Sequence, residues 1–283
     1  KYPPIYYSDY LQLDTLLGSQ KPKSDEYGHK AHEEMLFIIV HQAYELWFKQ
    51  ILHEIDSING MFRDEVVDEK SIGIAVSRLK RITEIQKLLI EQLRVLETMT
   101  PLDFLEFRDF LIPASGFQSF QFRLIENKLG LSDEKRIQYN NVDYLNTLEA
   151  PHRELIMQTV KERSLFELVE KWLERTPFLN SQNFNFWQSY KEAVERMLEH
   201  ETKIIMENAT LTEKKREFQL KNVELNRENF AALFDEQKHN ELVKEGRRQL
   251  SNRSMLAAIF INLYRDEPIL HLPFMLLSYL VEI

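Results

Sequence analysis

The segment Phe37 to Gln50 reads Phe-Ile-Ile-Val-His-Gln-Ala-Tyr-Glu-Leu-Trp-Phe-Lys-Gln and sets one imidazole, His41, among aromatic neighbours. At helical spacing Phe37, His41, Tyr44, Phe48, Ile51 and Ile55 follow at steps of 4, 3, 4, 3 and 4, so they share one face. An imidazole walled by aromatic rings can accept or donate one proton to a molecule in the pocket. The same spacing also suits a core histidine hydrogen-bonded to a backbone carbonyl. A second segment, Glu106 to Ser119, puts Arg108 among aromatic residues, Phe107 and Phe110, breaks at Pro113 and turns at Gly116. An arginine beside apolar rings calls for a carboxylate or phosphate on its planar fork. That anion is either a ligand's or an Asp or Glu on a neighbouring helix. The Ser115-Gly116 turn can bring a hydroxyl and bare backbone close to a ligand.

The remaining histidines offer less. Glu26/His29 and Glu236/His239 match the Glu-x-x-His spacing of di-iron carboxylate bundles, and His29 and His32 form an H-x2-H pair. Gly28 interrupts the first match and the second follows a charged run, so both are expected on the solvated surface. His53 is off the His41 face, and His152 and His200 sit among polar residues. No residue is named as a metal ligand.

The elements that must position these groups read as helices. Seven glycines in 283 residues leave few tight turns for a many-stranded fold. A helix is predicted near 72–98, where Leu79, Ile82, Ile85, Leu89, Leu93 and Leu96 form a stripe. Thr100-Pro101-Leu102-Asp103 is a helix start. Phe120 to Leu129 should stop at Gly130. Ser164-Leu165-Phe166-Glu167 is a capping box, with Pro177 closing that helix. About 186–235 reads as a long helical hairpin broken around Asn208 to Thr212, with Thr212 capping the return. Met197, Ile204 and Ile205 are expected to meet Phe218, Leu220 and Leu225. Ser251 or Asn252 starts a further helix that stops near Pro268, and Pro273 begins a last apolar piece. The fold class is therefore all-α: a single helical domain over 1–283 with an inserted hairpin and an N-terminal arm over 1–30. Tyr2, Tyr6, Tyr7 and Tyr10 make that arm too aromatic for a free tail, so it should dock.

Composition narrows the function classes. A net charge of −9 argues against sequence-independent nucleic-acid binding. With 43% hydrophobic and 29% charged residues the chain is globular and not disordered. No cysteine means no disulfide, no iron–sulfur cluster and no thiolate-ligated haem, and fits a reducing, cytoplasmic setting. The apolar run Met255 to Leu263 is too short to span a bilayer, so no membrane partner is expected. No signal peptide is visible, and a start at Lys1 leads us to expect preceding residues.

Both chemistry-bearing segments resemble the haem-dependent tryptophan 2,3-dioxygenases. The resemblance continues through Leu96–Thr100, Phe117–Lys128, Trp172–Pro177, Phe184–Trp187, Arg247–Ser251 and Tyr264–Pro268. It implies insertion of both atoms of O2 across the indole C2–C3 bond of L-tryptophan at a ferrous haem b, giving N-formyl-L-kynurenine. By resemblance His41 is the distal histidine beside the indole N–H, and Arg108 grips the substrate carboxylate. Phe37, Phe104 and Leu105 wall the indole, and Ser115, Gly116 and Phe37 lie beside the haem. Tyr7 and Tyr10 match tyrosines that reach into a neighbouring subunit's site, which implies a homotetramer. The family's proximal haem histidine and a Gly/Ser-rich loop lie in a C-terminal segment that is expected beyond Leu280–Ile283; His271 does not match the proximal position. Two other classes fit the residues alone: a helical scaffold with the hairpin as interface, and a different haem or di-metal enzyme.

Overall fold

The computed structural model describes residues 2–64, 66–131, 136, 145, 148–176, 180–181 and 184–283. The all-α class is observed. The helices are α1 (Tyr7–Leu11), α2 (Leu13–Leu17), α3 (Lys23–Glu26), α4 (Glu33–Phe62), α5 (Glu69–Leu96), α6 (Pro101–Leu105) and α7 (Phe120–Leu129). They continue with α8 (Ala150–Thr159), α9 (Leu165–Glu174), α10 (Phe186–Glu207), α11 (Glu213–Phe234), α12 (Glu236–Lys244), α13 (Asn252–Leu263) and α14 (Pro268–Glu282). Two-residue strands, Asn180–Ser181 and Phe184–Asn185, pair antiparallel before α10. The residues group into two compact units: Lys1–Met61 with Ile74–Leu165 and Tyr279–Ile283, and Phe62–Gly73 with Phe166–Ser278.

In the first unit α4 and α5 supply the core. Ile51, Ile55, Leu79 and Ile82 are 2% exposed or less, each adding about 1.5–3 kcal/mol by burial. The predicted α5 stripe stays buried through Leu89 and then surfaces, with Leu93 47% exposed. The two helices are also tied by polar contacts. The Tyr44 hydroxyl donates to the Leu89 carbonyl at 2.5 Å. Glu54, buried on α4, takes Arg81 at 2.6 Å and Arg78 at 3.5 Å. A carboxylate so buried needs such partners, because an unpaired charge there is strongly destabilising. α7 joins α4 through Gln121, which donates to the Glu45 carbonyl and carboxylate, both at 2.8 Å. Gly130 ends α7 at φ 102°, a backbone conformation that glycine enters without a side-chain clash.

In the second unit α10 and α11 form the antiparallel arms of a hairpin with boundaries as expected. Its core includes Ile205 and Leu220 of the expected contacts but otherwise differs. Val194, Leu198, Ile205 and Val223 are buried, with Tyr190, Leu211, Leu220 and Phe230 packed against them. Met197, Ile204, Phe218 and Leu225 are each about half or more exposed. In a sparse apolar pattern one step along a helix rotates a residue by about 100°, enough to carry it from core to solvent. Thr212 stands at the start of α11 without a side-chain cap bond. Ser251 does cap α13, its hydroxyl accepting from the Ser254 amide. Pro273 lies inside α14 and does not begin it. Pro268 takes the first-turn position, where no amide is missed, and Leu270, Pro273 and Leu276 bury one shared face. Pro177 lies outside the described residues.

His239 departs from its expected solvated place: it has no exposed surface. Arg248 Nη1 donates to its Nδ1 at 2.6 Å, and its Nε2 donates to the Leu250 carbonyl at 2.9 Å. Its neighbours Glu236, Lys238 and Asn240 are exposed on α12, and His239 alone among them turns inward. With both nitrogens engaged it has no lone pair to offer a metal. Among the described residues no group of three or more His, Cys, Asp or Glu gathers to hold a metal ion, and no helix is long and apolar enough to cross a membrane.

Candidate active site

One helical turn on α4 separates Phe37 from His41, and their rings lie 4.1 Å apart at 35°. Phe37 meets Phe104 of α6 at 5.6 Å and Phe107 edge-on at 5.5 Å. Phe104 and Phe107 meet edge-on at 5.3 Å. Contacts of this kind add about 0.5–1.5 kcal/mol each beyond area burial. Phe107 is fully buried, whereas Phe37, His41 and Phe104 are half-buried. One ring anchors the cluster and the others face outward. Phe107, an aromatic neighbour of Arg108 in the sequence, was not expected in the site, although its three-residue step from Phe104 was the signal available.

His41 carries a defined tautomer. Its Nδ1 lies 2.7 Å from the Phe37 carbonyl. A carbonyl only accepts, so Nδ1 carries a proton, and in the neutral ring the lone pair is on Nε2. Nε2 has no hydrogen-bond partner among the described residues. The ring is thus backbone-bonded through one nitrogen and available to a ligand through the other. Tyr44, one step further on this face, has its hydroxyl committed to Leu89, and burial pushes its phenol above the ordinary value. It serves as wall.

Arg108 is placed by the end of α6. The Thr100 hydroxyl accepts from the Asp103 amide, and the Asp103 carboxylate takes the Thr100 hydroxyl at 2.6 Å and amide at 2.8 Å. These bonds hold the Asp103 carboxyl below its ordinary value, with the Thr100 side chain as the first cause. After α6 the chain tightens into the 3₁₀ turn Arg108–Leu111. Arg108 opens that turn, exposed, with no hydrogen-bond or ion-pair partner among the described residues. The interhelical carboxylate pair that the sequence left open is not formed among the described residues. Leu105, three residues before it, is 54% exposed. The Phe110 ring, two residues on, stacks on Tyr27 at 5.1 Å and on His29 at 5.8 Å.

Beyond the cis Ile112–Pro113 bond, Ser115 and Gly116 are exposed. The Ser115 hydroxyl accepts from the Phe117 amide at 3.3 Å, and Gln118 Oε1 accepts from the Ser115 amide at 3.0 Å. A Cβ at Gly116 would meet no atom within 4 Å. The structure therefore brings Phe37, His41 and Phe104 into one cluster with Phe107, and sets Leu105 and Arg108 next in the chain. Tyr7 and Tyr10 lie elsewhere, 74% and 72% exposed on α1, without ring contacts to that cluster among the described residues.

Comparison with known proteins places the chain in a family. Residues 3–283 match the family described as Tryptophan 2,3-dioxygenase. The chain is 51% identical over 283 residues to the tryptophan 2,3-dioxygenase of Bdellovibrio bacteriovorus, covering all of this chain and 79% of that protein. It is 49% identical over 279 residues to that of Dictyostelium discoideum, covering 99% of this chain and 70% of the relative. Tryptophan 2,3-dioxygenase B of Danio rerio is 47% identical over 280 residues, 99% of this chain and 68% of its own length. The chain belongs to the tryptophan 2,3-dioxygenase family, enzymes that cleave tryptophan oxidatively to N-formylkynurenine.

Proposed function

We propose that L-tryptophan is bound against Phe37, Phe104 and Leu105, with its carboxylate on Arg108 and its indole N–H on Nε2 of His41, beside a haem b that Phe37, Ser115 and Gly116 help to hold. The observation that carries this reading is Arg108. An exposed guanidinium without an acidic partner among the described residues, next in the chain to a half-open aromatic cluster, matches an amino acid that is apolar at one end and anionic at the other. The lone pair on Nε2 of His41 then accepts the indole N–H while Nδ1–H stays tied to Phe37. Since the indole N–H is a very weak acid, His41 positions the ring and does not deprotonate it.

The described residues suit a haem on the side they line. Phe37 and Phe104 are apolar and half-exposed, and the open space at Gly116, further along the chain, leaves room for a flat group against the backbone. When bound, the haem supplies the activation of O2. The protein's part is to bind, orient and exclude water: Arg108 fixes the carboxylate, His41 fixes the rotation of the indole, and the phenylalanines keep its face dry. The same reading takes residues 1–283 as one family domain, and takes Tyr7 and Tyr10 as an arm that completes a neighbour's site in a cytoplasmic homotetramer. The family match spanning residues 3–283 and the exposure of both tyrosines support it.

Arg108→Lys tests the central contact. An ammonium cannot reproduce the two parallel bonds, so KM for L-tryptophan should rise about 30-fold or more, the equivalent of about 2 kcal/mol or above. An unchanged KM would make Arg108 an ordinary surface residue.

A further inference from the structure

We infer that Glu34 is a positioning residue for the substrate carboxylate, acting on Arg108 through the segment 23–31 and Phe110. The inference rests on the reading of Arg108 given above. Glu34 lies in the first turn of α4 and is 1% exposed. A carboxylate buried to that degree is tolerated only when hydrogen bonds satisfy it. Its partners are two backbone amides. Oε1 accepts from the Lys23 amide at 2.7 Å and Oε2 from the Ser24 amide at 2.9 Å. Those amides open α3 and have no partner within it, so Glu34 both completes α3 and ties it to α4.

The tie carries further. Ser24 is fully buried; its hydroxyl accepts from the Ala31 amide at 3.3 Å and its carbonyl from the His29 amide at 2.9 Å. The segment from Ser24 to Ala31 is thereby closed on itself, and it presents Tyr27 and His29 to Phe110. Tyr27 stacks on Phe110 with an interplanar angle of 13°, His29 with one of 28°. Phe110 shares its short turn with Arg108. That turn is therefore held at two places, inward by the buried Phe107 and laterally by the Phe110 stack, with Arg108 between them. Glu34, Phe37 and His41 follow at steps of 3 and 4 on one face of α4. One rigid helix thus sets the indole wall directly and the carboxylate anchor through the tied segment. Released from the Phe110 stack, the turn would keep its inward anchor alone, and the two-bond geometry that Arg108 offers would be sampled less often.

The test uses the full-length haem-loaded enzyme, with steady-state kinetics on L-tryptophan and competitive inhibition by tryptamine, which lacks the carboxylate. Glu34→Gln places an amide NH2 where two backbone N–H groups need acceptors. It should raise KM for L-tryptophan about tenfold with kcat changed less than about threefold, and leave the Ki of tryptamine in place. Tyr27→Ala removes an exposed ring without touching the buried carboxylate, so it guards against misfolding of the first variant. It should move KM the same way by about threefold. In an Arg108→Ala background neither substitution should raise KM further. Equal losses for L-tryptophan and tryptamine, or effects that persist in full beside Arg108→Ala, would show that Glu34 only stabilises the fold and would overturn the inference. A normal KM for Arg108→Ala alone would instead refute the reading of Arg108 itself.

Discussion

Because Nδ1 of His41 is committed to the Phe37 carbonyl, a ligand on this face of α4 meets an acceptor and not a donor. Removing that acceptor while leaving the helix intact should weaken orientation but not assembly. His41→Ala is expected to retain haem and to turn over tryptophan about 10- to 100-fold more slowly, the loss of one hydrogen bond in a dry site. Haem content and kcat measured on the same preparation check this, and a haem-free variant would move His41 from the substrate side to the iron side. The sequence could nominate His41 and Arg108, because residue type and helical spacing are local properties. It could not say which imidazole nitrogen is taken, which depends on the ring's rotamer, nor that Arg108 lacks an acidic partner among the described residues, which depends on what the chain brings close from elsewhere. Glu34 was invisible for the same reason: an acid at the start of a helix looks like a favourable surface charge until its amide partners, eleven and ten residues upstream, are seen.

At the level of elements, helix ends were the most legible feature. Thr100, Gly130 and Ser251 cap or stop their helices where the sequence placed them, because a cap is a bond between residues three or four positions apart. The facing of α10 and α11 was less legible. Their apolar residues are too sparse to define one stripe, and which of two adjacent residues turns inward is decided by the other arm. A direct comparison follows. Leu198, 1% exposed, should cost about 2–5 kcal/mol when cut to alanine, whereas Met197, 49% exposed and next in sequence, should cost less than about 1 kcal/mol. Urea unfolding of both variants measures the difference, and equal losses would mean that the arms pack in the register expected from sequence. Pro273 was misread because a proline was taken as a boundary, while a well-buried face on α14 outweighed one missing amide bond.

For the whole molecule the N-terminal arm matters most. Tyr6, Tyr7 and Tyr10 are 78%, 74% and 72% exposed, a large aromatic area to leave in water. If they complete a neighbour's pocket, a chain lacking residues 1–11 and a chain carrying Arg108→Ala should each be poorly active, yet regain activity when mixed and allowed to exchange subunits. Activity equal to the weighted sum of the two would show that each chain builds its site alone. The exposed arm also has a consequence for rate laws. A catalyst that borrows part of its site from another copy is not first order in itself. As such an enzyme is diluted below its assembly constant, turnover per chain should decline with concentration instead of holding constant. The amount of protein present would then set not only how many sites exist but how well each of them works.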